Sequence, residues 1–470
     1  MITAALERGE YPRHRPIPSS RQLSAMYGVS RTTVDAALQE LTGQGLLVSR
    51  PRSGLYPADL PAQRLRAAPA GGREQPAAPV DWGSHLLTRD DPWPAKSLSD
   101  PDYLDHPYPF LPGQVAPGAF PEAAWLRASR RAFERAHAVH AVRDAGDADD
   151  PLLVEALVRH VLPGKGIRAR PEQVLVTAGV QQALSLLAGA LLDPGRTVAV
   201  EDPGYVDAAR IFHRSGARLL FFPVDAHGVR PDPGADVDLL YLTPSHQHPT
   251  NTTLHASRRQ EILARAAAED FLVVEDDFDS EVRFRGAPTA PLRACDRSGR
   301  VVYLGTFSKI LSPGLRLGYV VAEAPLVAEL RERRYLATRH PSGLDQRALA
   351  LFIASGDFHR VLAQHRRVLR RKFEAVAAGL RRHLPWDVGD VPSGGLSVWV
   401  QGPEGFDATV MAARARELGV LVIPGEQYHL RDPAPRTCFR LGFNAIREPL
   451  IEPGLALLGR AVRETHPHLA

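Results

Sequence analysis

From about His106 onward, short apolar runs bounded by glycine, proline or charge alternate with amphipathic helical stretches. No other feature constrains the fold as much. The runs are QVLVTA at 173–178, TVAVED at 197–202, DLLYLT at 238–243, FLVVEDD at 271–277 and VVYLGTF at 301–307. Segments of this length that are apolar almost throughout are strands buried on both faces, and helices between them bring the strands into parallel order. The pattern predicts a large α/β domain over 106–335. Past Tyr335, a long Arg-rich helical stretch around GDFHRVLAQHRRVLRRKFEAVAAGL leads to the strand-like GGLSVWV, GVLVIPG and CFRLGFN. This predicts a smaller C-terminal α+β subdomain over 336–470.

The first part of the chain follows a different pattern. Residues 1–57 read as helices followed by a hairpin, and PADLPAQRLRAAPAGGREQPAAP opens a Pro/Ala/Gly/Arg-rich linker placed at 58–105. Within PSSRQLSAMYGVSRTTVDAALQELTGQGLL, Ser20 is expected to cap a short helix that turns Leu23, Met26 and Tyr27 inward. Gly28 supplies the turn, and Ser30 caps a second helix with Val34, Leu38 and Leu41 on one face. Its first turn then presents Arg31, Thr32 and Thr33 outward at a positive helix end, as a recognition helix meets DNA. LVSRPRSGLY reads as a two-stranded wing with Gly54 at its tip. By pattern alone, the same cluster also describes a capped, solvated helix start.

Composition narrows the classes. A chain of 470 residues exceeds what one core usually serves, and the net charge of +4 permits nucleic-acid contact without requiring it. No apolar run approaches the roughly 20 residues that span a bilayer, and MITAALERGE does not read as a signal peptide. No membrane role and a cytoplasmic location are expected. Cys295 and Cys438 stand alone, offering neither a disulfide framework nor a zinc cluster, so no metal is expected. Of 57 basic residues, only Lys96, Lys165, Lys309 and Lys372 are lysines. Arginine cannot form a Schiff base, whereas a desolvated lysine can attack a carbonyl, so each lysine is a candidate nucleophile.

VVYLGTFSKILSPGLRLGYVV gathers the chemistry around one of them. A buried strand ends at Thr306, a hydroxyl-bearing loop carries Ser308 and Lys309, and Arg316 follows. An aldehyde that bears a phosphate needs this set: an amine to condense with it, and hydroxyls with a planar guanidinium for the phosphate. The acidic end of FLVVEDDFDSE offers a carboxylate for a ring nitrogen, with Asp276 preferred and Asp277 the alternative. An acidic strand end also suits a metal, a sugar or solvent. In VTAGVQQALSLL, the N–H groups of Val180 and Gln181 can face a phosphate at a helix start, and Tyr205 of EDPGY is an aromatic platform for a ring.

The N-terminal segment from about Ile17 to Tyr56 resembles the winged helix-turn-helix of GntR-type regulators, by PSSR, GVSRTTV and the closing SG of the wing. That resemblance implies Arg21, Ser30, Arg31, Thr32, Thr33 and Gly54 as the DNA-binding set. The family normally has a full helix before this motif, where this chain has Ile2 to about Arg8, which leaves open a start upstream. Strand-G-helix, DPGY, TPSHQHPT, EDD, TFSK and the following Arg resemble fold-type I aminotransferases, over about Phe110 to Phe443. In detail the order is similar to the MocR subfamily of GntR regulators, in which such a domain is fused behind the winged helix. The resemblance implies pyridoxal 5′-phosphate, with Lys309 for the aldehyde, Asp276 for the ring nitrogen, Tyr205 for stacking and Thr306, Ser308 and Arg316 for phosphate. It also implies Arg440, in CFRLGF, for the carboxylate of a substrate or effector.

Three positions depart from the family. Phe278 stands for a tyrosine that hydrogen-bonds the cofactor's phenolic oxygen, Asn251 for a glycine after HQ-x-P-T, and Val154 for an arginine. These losses weaken turnover more than binding. The expected protein is a homodimeric regulator of double-stranded DNA that senses a small amino-containing effector. The alternative is an aminotransferase with a vestigial DNA-binding segment.

Overall fold

The computed structural model describes residues 1–58, 80–86, 92–93, 102–116, 118–284, 289–389 and 394–469. These separate into two compact units, Met1–Thr88 and Arg89–Ala470. Most of the expected linker lies outside the described residues. Its described parts include a helical turn at Trp82–His85 and Trp93, which belongs to the second unit, where its indole N–H donates to the Leu430 carbonyl at 2.9 Å.

In the first unit, α1 (Ile2–Glu7), α2 (Ser20–Tyr27) and α3 (Arg31–Gly43) precede an antiparallel pair, β1 (Leu47–Arg50) and β2 (Gly54–Pro57). The cap of α2 is Ser19, one residue before the expected Ser20: its Oγ accepts from the Gln22 N–H, and Gln22 Oε1 accepts from the Ser19 N–H, closing a capping box. Gly28 takes the left-handed conformation that ends α2, at φ 66°. Ser30 caps α3 by accepting from the Thr33 N–H at 3.1 Å. Leu23, Val34, Leu38 and Leu41 pack with Ile2, Ile17 and Leu47 into one core, but Met26 is exposed. The inward stripe of α2 runs from Leu23 to Tyr27, four residues on, and leaves Met26 on the solvent side. Gly54 is not at the tip of the wing: it pairs with Arg50, and Pro51–Ser53 make the turn.

The second unit is built on an eight-stranded sheet. Its strands are β3 (Val174–Thr177), β4 (Thr197–Asp202), β5 (Arg218–Asp225), β6 (Gly228–Val229), β7 (Leu239–Leu242), β8 (Leu272–Asp277), β9 (Val301–Thr306) and β10 (Gly318–Val321). The order is β3-β10-β9-β8-β7-β4-β5-β6. From β9 through β5 every neighbour is parallel, while β10 and the short β6 are antiparallel to their neighbours. The five strands read from sequence fall within one residue of these bounds. Leu184, Leu187 and Phe212 cover one face of the sheet, and Leu157, Leu349 and Phe352 belong to a separate cluster with Tyr303 and Tyr319.

A second, antiparallel sheet orders β11 (Ser397–Gln401), β13 (Cys438–Gly442) and β12 (Ile423–Pro424). The helix Asp357–His383 serves both cores. Phe358, Val361 and Leu362 join the cluster around the large sheet, whereas Leu369, Phe373 and Val376 pack with Val398 and Phe439 of the smaller sheet. The helix Gly343–Ala354, which the sequence assigns to the smaller subdomain, contributes Leu349 to Ile353 to the large-sheet cluster.

One buried ion pair ties helices to this sheet. Arg334, with no side-chain exposure, pairs with Asp149, 2% exposed, and donates to the Val176 carbonyl of β3. Replacing Asp149 by Ala leaves a buried guanidinium without its anion, a change that costs about 3–5 kcal/mol. Urea unfolding followed by tryptophan fluorescence should show a lower midpoint for Asp149→Ala; an unchanged midpoint would mean that the carbonyls alone satisfy Arg334.

Candidate cofactor site

Parallel strands deliver their C-terminal ends to one edge of a sheet, and ligands of open α/β sheets bind there. Here β8 ends on Asp276 and Asp277, β9 on Thr306 followed by Ser308 and Lys309, and β7 leads into Thr243 and the loop to Asn251. β4 is followed by Tyr205, and β3 by Gly179 and the helix Val180–Leu191. Gly179 has φ 86°, and a Cβ there would stand 3.0 Å from the Arg316 guanidinium, so glycine is required by both backbone and space.

A cavity of about 330 Å³ collects these ends. Every residue expected around a cofactor lines it: Val180, Gln181, Tyr205, Asp276, Thr306, Ser308, Lys309 and Arg316, together with Arg440. The two halves of the unit both contribute, since Arg440 comes from β13 and Lys309 from the loop after β9. Among the other lysines, Lys165 is held by Asp277 at 2.9 Å and Glu281 at 2.6 Å. Lys372 donates to the Asn444 carbonyl. Lys96 lies outside the described residues.

The strand alternation separates the two aspartates. Successive side chains of a strand point to opposite faces. Asp277 meets Lys165, the Tyr303 hydroxyl at 2.5 Å and the Ser280 hydroxyl at 2.6 Å. Burial opposes its charge, yet Lys165 and these hydroxyls hold its carboxyl below the ordinary range. Asp276 faces the cavity, accepts from the Tyr241 hydroxyl at 2.8 Å through Oδ2, and has no partner on Oδ1. Burial, opposed by the Tyr241 hydrogen bond, pushes its carboxyl up to about 7. A cationic ring nitrogen is the partner this oxygen lacks.

Lys309 is half-buried, and a Cβ on Gly113 would lie 3.4 Å from its Nζ. Burial and the charge of Arg440 hold its ammonium below the ordinary lysine value against the pull of Asp279 and Asp276. An amine biased toward its neutral form can attack a carbonyl. At the end of the cavity beside the start of the helix Val180–Leu191, Arg316 takes φ 50° and donates to the Ala178 carbonyl at 3.0 Å, while Thr306 Oγ1 accepts from the Ser308 N–H at 3.1 Å. Gln181 Nε2 donates to the Tyr205 hydroxyl at 2.9 Å, which holds that ring at the cavity wall. Together, an orphaned carboxylate oxygen, a depressed lysine, a helix start and a guanidinium with two hydroxyls fit pyridoxal 5′-phosphate.

Arg440 is buried, its Nε donates to Ser397 Oγ at 2.9 Å, and its Nη1 lies 3.1 Å from His248 Nδ1. No carboxylate pairs with it among the described residues. A buried guanidinium without an anion is costly, so this corner of the cavity suits a ligand carboxylate. The departures are also placed. Phe278 lines the cavity, Val154 is buried in the large-sheet cluster, and Asn251 lies behind Arg440, its Nδ2 donating to the Ser397 carbonyl. Sequence reasoning missed His248, Tyr241, Thr243, Asp207, Tyr428 and the Pro112–Gln114 segment of the lining. His248 was visible in TPSHQHPT; nothing local marks Tyr428.

The expected DNA-facing residues Arg21, Ser30, Arg31, Thr32, Thr33 and Gly54 are all exposed. Arg31 Nε donates to Ser20 Oγ at 3.3 Å and stands 4.0 Å from Asp35, so its guanidinium is steadied at the start of α3.

Comparison with known proteins agrees with both units. Residues 117–453 match the aminotransferase class I and II family, and residues 1–56 match the bacterial regulatory proteins of the gntR family. The chain is 38% identical to the HTH-type transcriptional regulator TauR of Rhodobacter capsulatus, over 98% of this chain and 95% of TauR. It is 31% identical to the probable rhizopine catabolism regulatory protein MocR of Rhizobium meliloti, over 98% of this chain and 92% of that one. Among solved structures it is similar to LysN, the α-aminoadipate aminotransferase of Thermus thermophilus complexed with N-(5′-phosphopyridoxyl)-L-leucine. There the TM-score is 0.72 at 29% identity, covering 83% of this chain and all of LysN. A gntR-type reader joined to a class I and II aminotransferase domain, in one chain that matches such regulators end to end, makes this protein a transcriptional regulator of the MocR subfamily.

Proposed function

We propose that this regulator holds pyridoxal 5′-phosphate on Lys309 and senses a small molecule that carries both an amine and a carboxylate. The observation that carries the reading is the pairing of two unmet charges in one cavity: the open Asp276 Oδ1 and the Arg440 guanidinium without a carboxylate. Bound there, the cofactor supplies an aldehyde carbon that amines attack reversibly. Asp276 would keep the ring nitrogen protonated, Tyr205 would stack on the ring, and Val180 and Gln181 with Thr306, Ser308 and Arg316 would bind the phosphate. Lys309 would hold the cofactor's aldehyde carbon, and Arg440 would receive the carboxylate of an effector whose amine competes for that carbon. A ligand of this kind shifts a conformational equilibrium by as much as it prefers one state. Phe278, which offers no hydroxyl, favours sensing over turnover.

GntR-type regulators bind DNA. For this chain the reading assigns phosphate and base contacts to Arg21 on α2 and to Ser30, Arg31, Thr32 and Thr33 at the exposed start of α3, with Gly54 of the wing as a further contact. A homodimer in the cytoplasm, meeting two half-sites, completes the proposal.

Purified protein loaded with the cofactor should show a visible absorbance band that borohydride fixes and Lys309→Ala abolishes; a band that persists in the alanine variant would remove Lys309 from this role. With Arg440→Ala the band should remain, while amino acids lose their ability to change it. On DNA, footprints over the gene's own upstream region should weaken steeply as salt rises, and Arg31→Ala should weaken them further. Protection indifferent to both would favour the aminotransferase reading.

A further inference from the structure

His248 is bound through one ring nitrogen and open on the other. Its Nδ1 lies 3.1 Å from Arg440 Nη1. A guanidinium only donates, so Nδ1 must accept, which fixes a neutral ring with its proton on Nε2. The groups facing the ring agree with that state: burial, the Arg440 charge and the Lys309 charge keep His248 from protonating until well below its ordinary pKa. Tyr205, Phe278 and Tyr428 wall it in edge-on, with ring centroids at 5.4, 5.9 and 5.3 Å. Its backbone N–H is tied to Thr243 Oγ1 at 2.8 Å. The result is a fixed Nε2–H donor on a residue that lines the cavity, and no acceptor meets it among the described residues. A buried donor without a partner is costly, which makes an acceptor on the ligand its natural complement.

The cofactor has one such acceptor left. Asp276 meets the ring nitrogen and the helix start with Arg316 meets the phosphate, so the remaining ring acceptor is the phenolic oxygen beside the aldehyde carbon. Phe278, the neighbour of His248, can offer that oxygen nothing. We propose that His248 supplies, through Nε2–H, the hydrogen bond to the cofactor's phenolic oxygen that Phe278 cannot give, and that Arg440 makes this bond responsive to a carboxylate. The proposal rests on the cofactor reading above. Its sign follows from electrostatics. The bond favours negative charge on the oxygen, and hence loss of the proton shared with the lysine-derived nitrogen, so it lowers the pKa of the lysine-bound cofactor. A carboxylate on Arg440 offsets the guanidinium charge that polarises His248, weakens the donor, and raises that pKa.

The test is a pH titration of the visible band in the full-length, cofactor-loaded protein. His248→Phe should move the midpoint upward by about one pH unit, and His248→Gln, whose amide can put an N–H near the place of Nε2, should stay close to the parent. Adding Phe278→Tyr to the His248→Phe chain should bring the midpoint back down. Acetate should raise the parent's midpoint more than that of His248→Phe. Equal midpoints in the parent and His248→Phe, with the band intact in both, overturn the proposal; so does a rise in His248→Gln as large as in His248→Phe. Should His248→Phe fail to fold, a Phe278→Tyr single variant that leaves the parent's midpoint unmoved also overturns it, because the oxygen then does not face this wall. A parent protein without any lysine-dependent band defeats the cofactor reading itself, a result distinct from all of these.

Discussion

Three consecutive carboxylates end the central strand β8, and all of them are buried: Glu275, Asp276 and Asp277. Burying one ionised carboxylate costs several kcal/mol unless it is paired and hydrogen-bonded, so much of the surrounding structure is committed to these three. Glu275 accepts from the backbone N–H groups of Leu292 and Arg293 at 2.8 and 2.9 Å, and burial still pushes it up to about 7. Asp277, on the same face of the strand, has the Lys165 ion pair and two hydroxyls. Asp276 alone points the other way, with one hydroxyl and one open oxygen. Because its two neighbours are pinned, its direction is pinned too, and the parallel strands on either side place Tyr241 and Thr306 around it. The site is a consequence of strand phase.

That dependence explains what the sequence could and could not reveal. Strand positions were legible because continuous apolar runs end at glycine, proline or charge, as at Thr197–Asp202. The edge-side strand Arg218–Asp225 was less so, since only its Phe222 is buried and its RLLFFPVD mixes both patterns. The antiparallel Gly318–Val321 was concealed inside the run that carries Lys309 and Arg316. Choosing between Asp276 and Asp277 needs the phase of a strand to within one residue, and the group that fixes it, Lys165, is 112 residues away. The role of His248 depends on Arg440, 192 residues distant. The long helix Asp357–His383 was readable as a helix, but its passage from one core to the other shows only in the packing of Phe358 against Phe307 and of Phe373 against Phe284.

One departure from the family pattern, Asn251, is tied into a hydrogen-bond chain along the cavity. Asn251 takes φ 60°, a left-handed conformation that glycine accepts freely and asparagine tolerates best among the residues with side chains. Its amide uses that position to donate to the Ser397 carbonyl, and a Cβ on Gly395 would come within 2.9 Å of it. Ser397 in turn accepts from Arg440 through Oγ, and Arg440 donates to His248, whose backbone N–H reaches Thr243 Oγ1. Thr243 ends the chain by donating to the buried Glu201 at 2.6 Å. A glycine at 251 would leave the Ser397 carbonyl without that amide, and an apolar residue at 248 would leave Arg440 without its neutral acceptor. Asn251 and His248 are thus connected through Ser397 and Arg440.

This connection bears on the choice between a sensor and a catalyst. Turnover requires interactions that strengthen only in the transition state, whereas a sensor needs only ligand contacts that differ between two conformations. Arg440 and His248 share a hydrogen bond in which the arginine is the sole source of positive charge, since His248 is held neutral. Any anion that reaches Arg440 therefore changes the field at the histidine without needing a proton to move. In the sensing reading proposed above, such a change of field accompanies binding alone and requires no turnover.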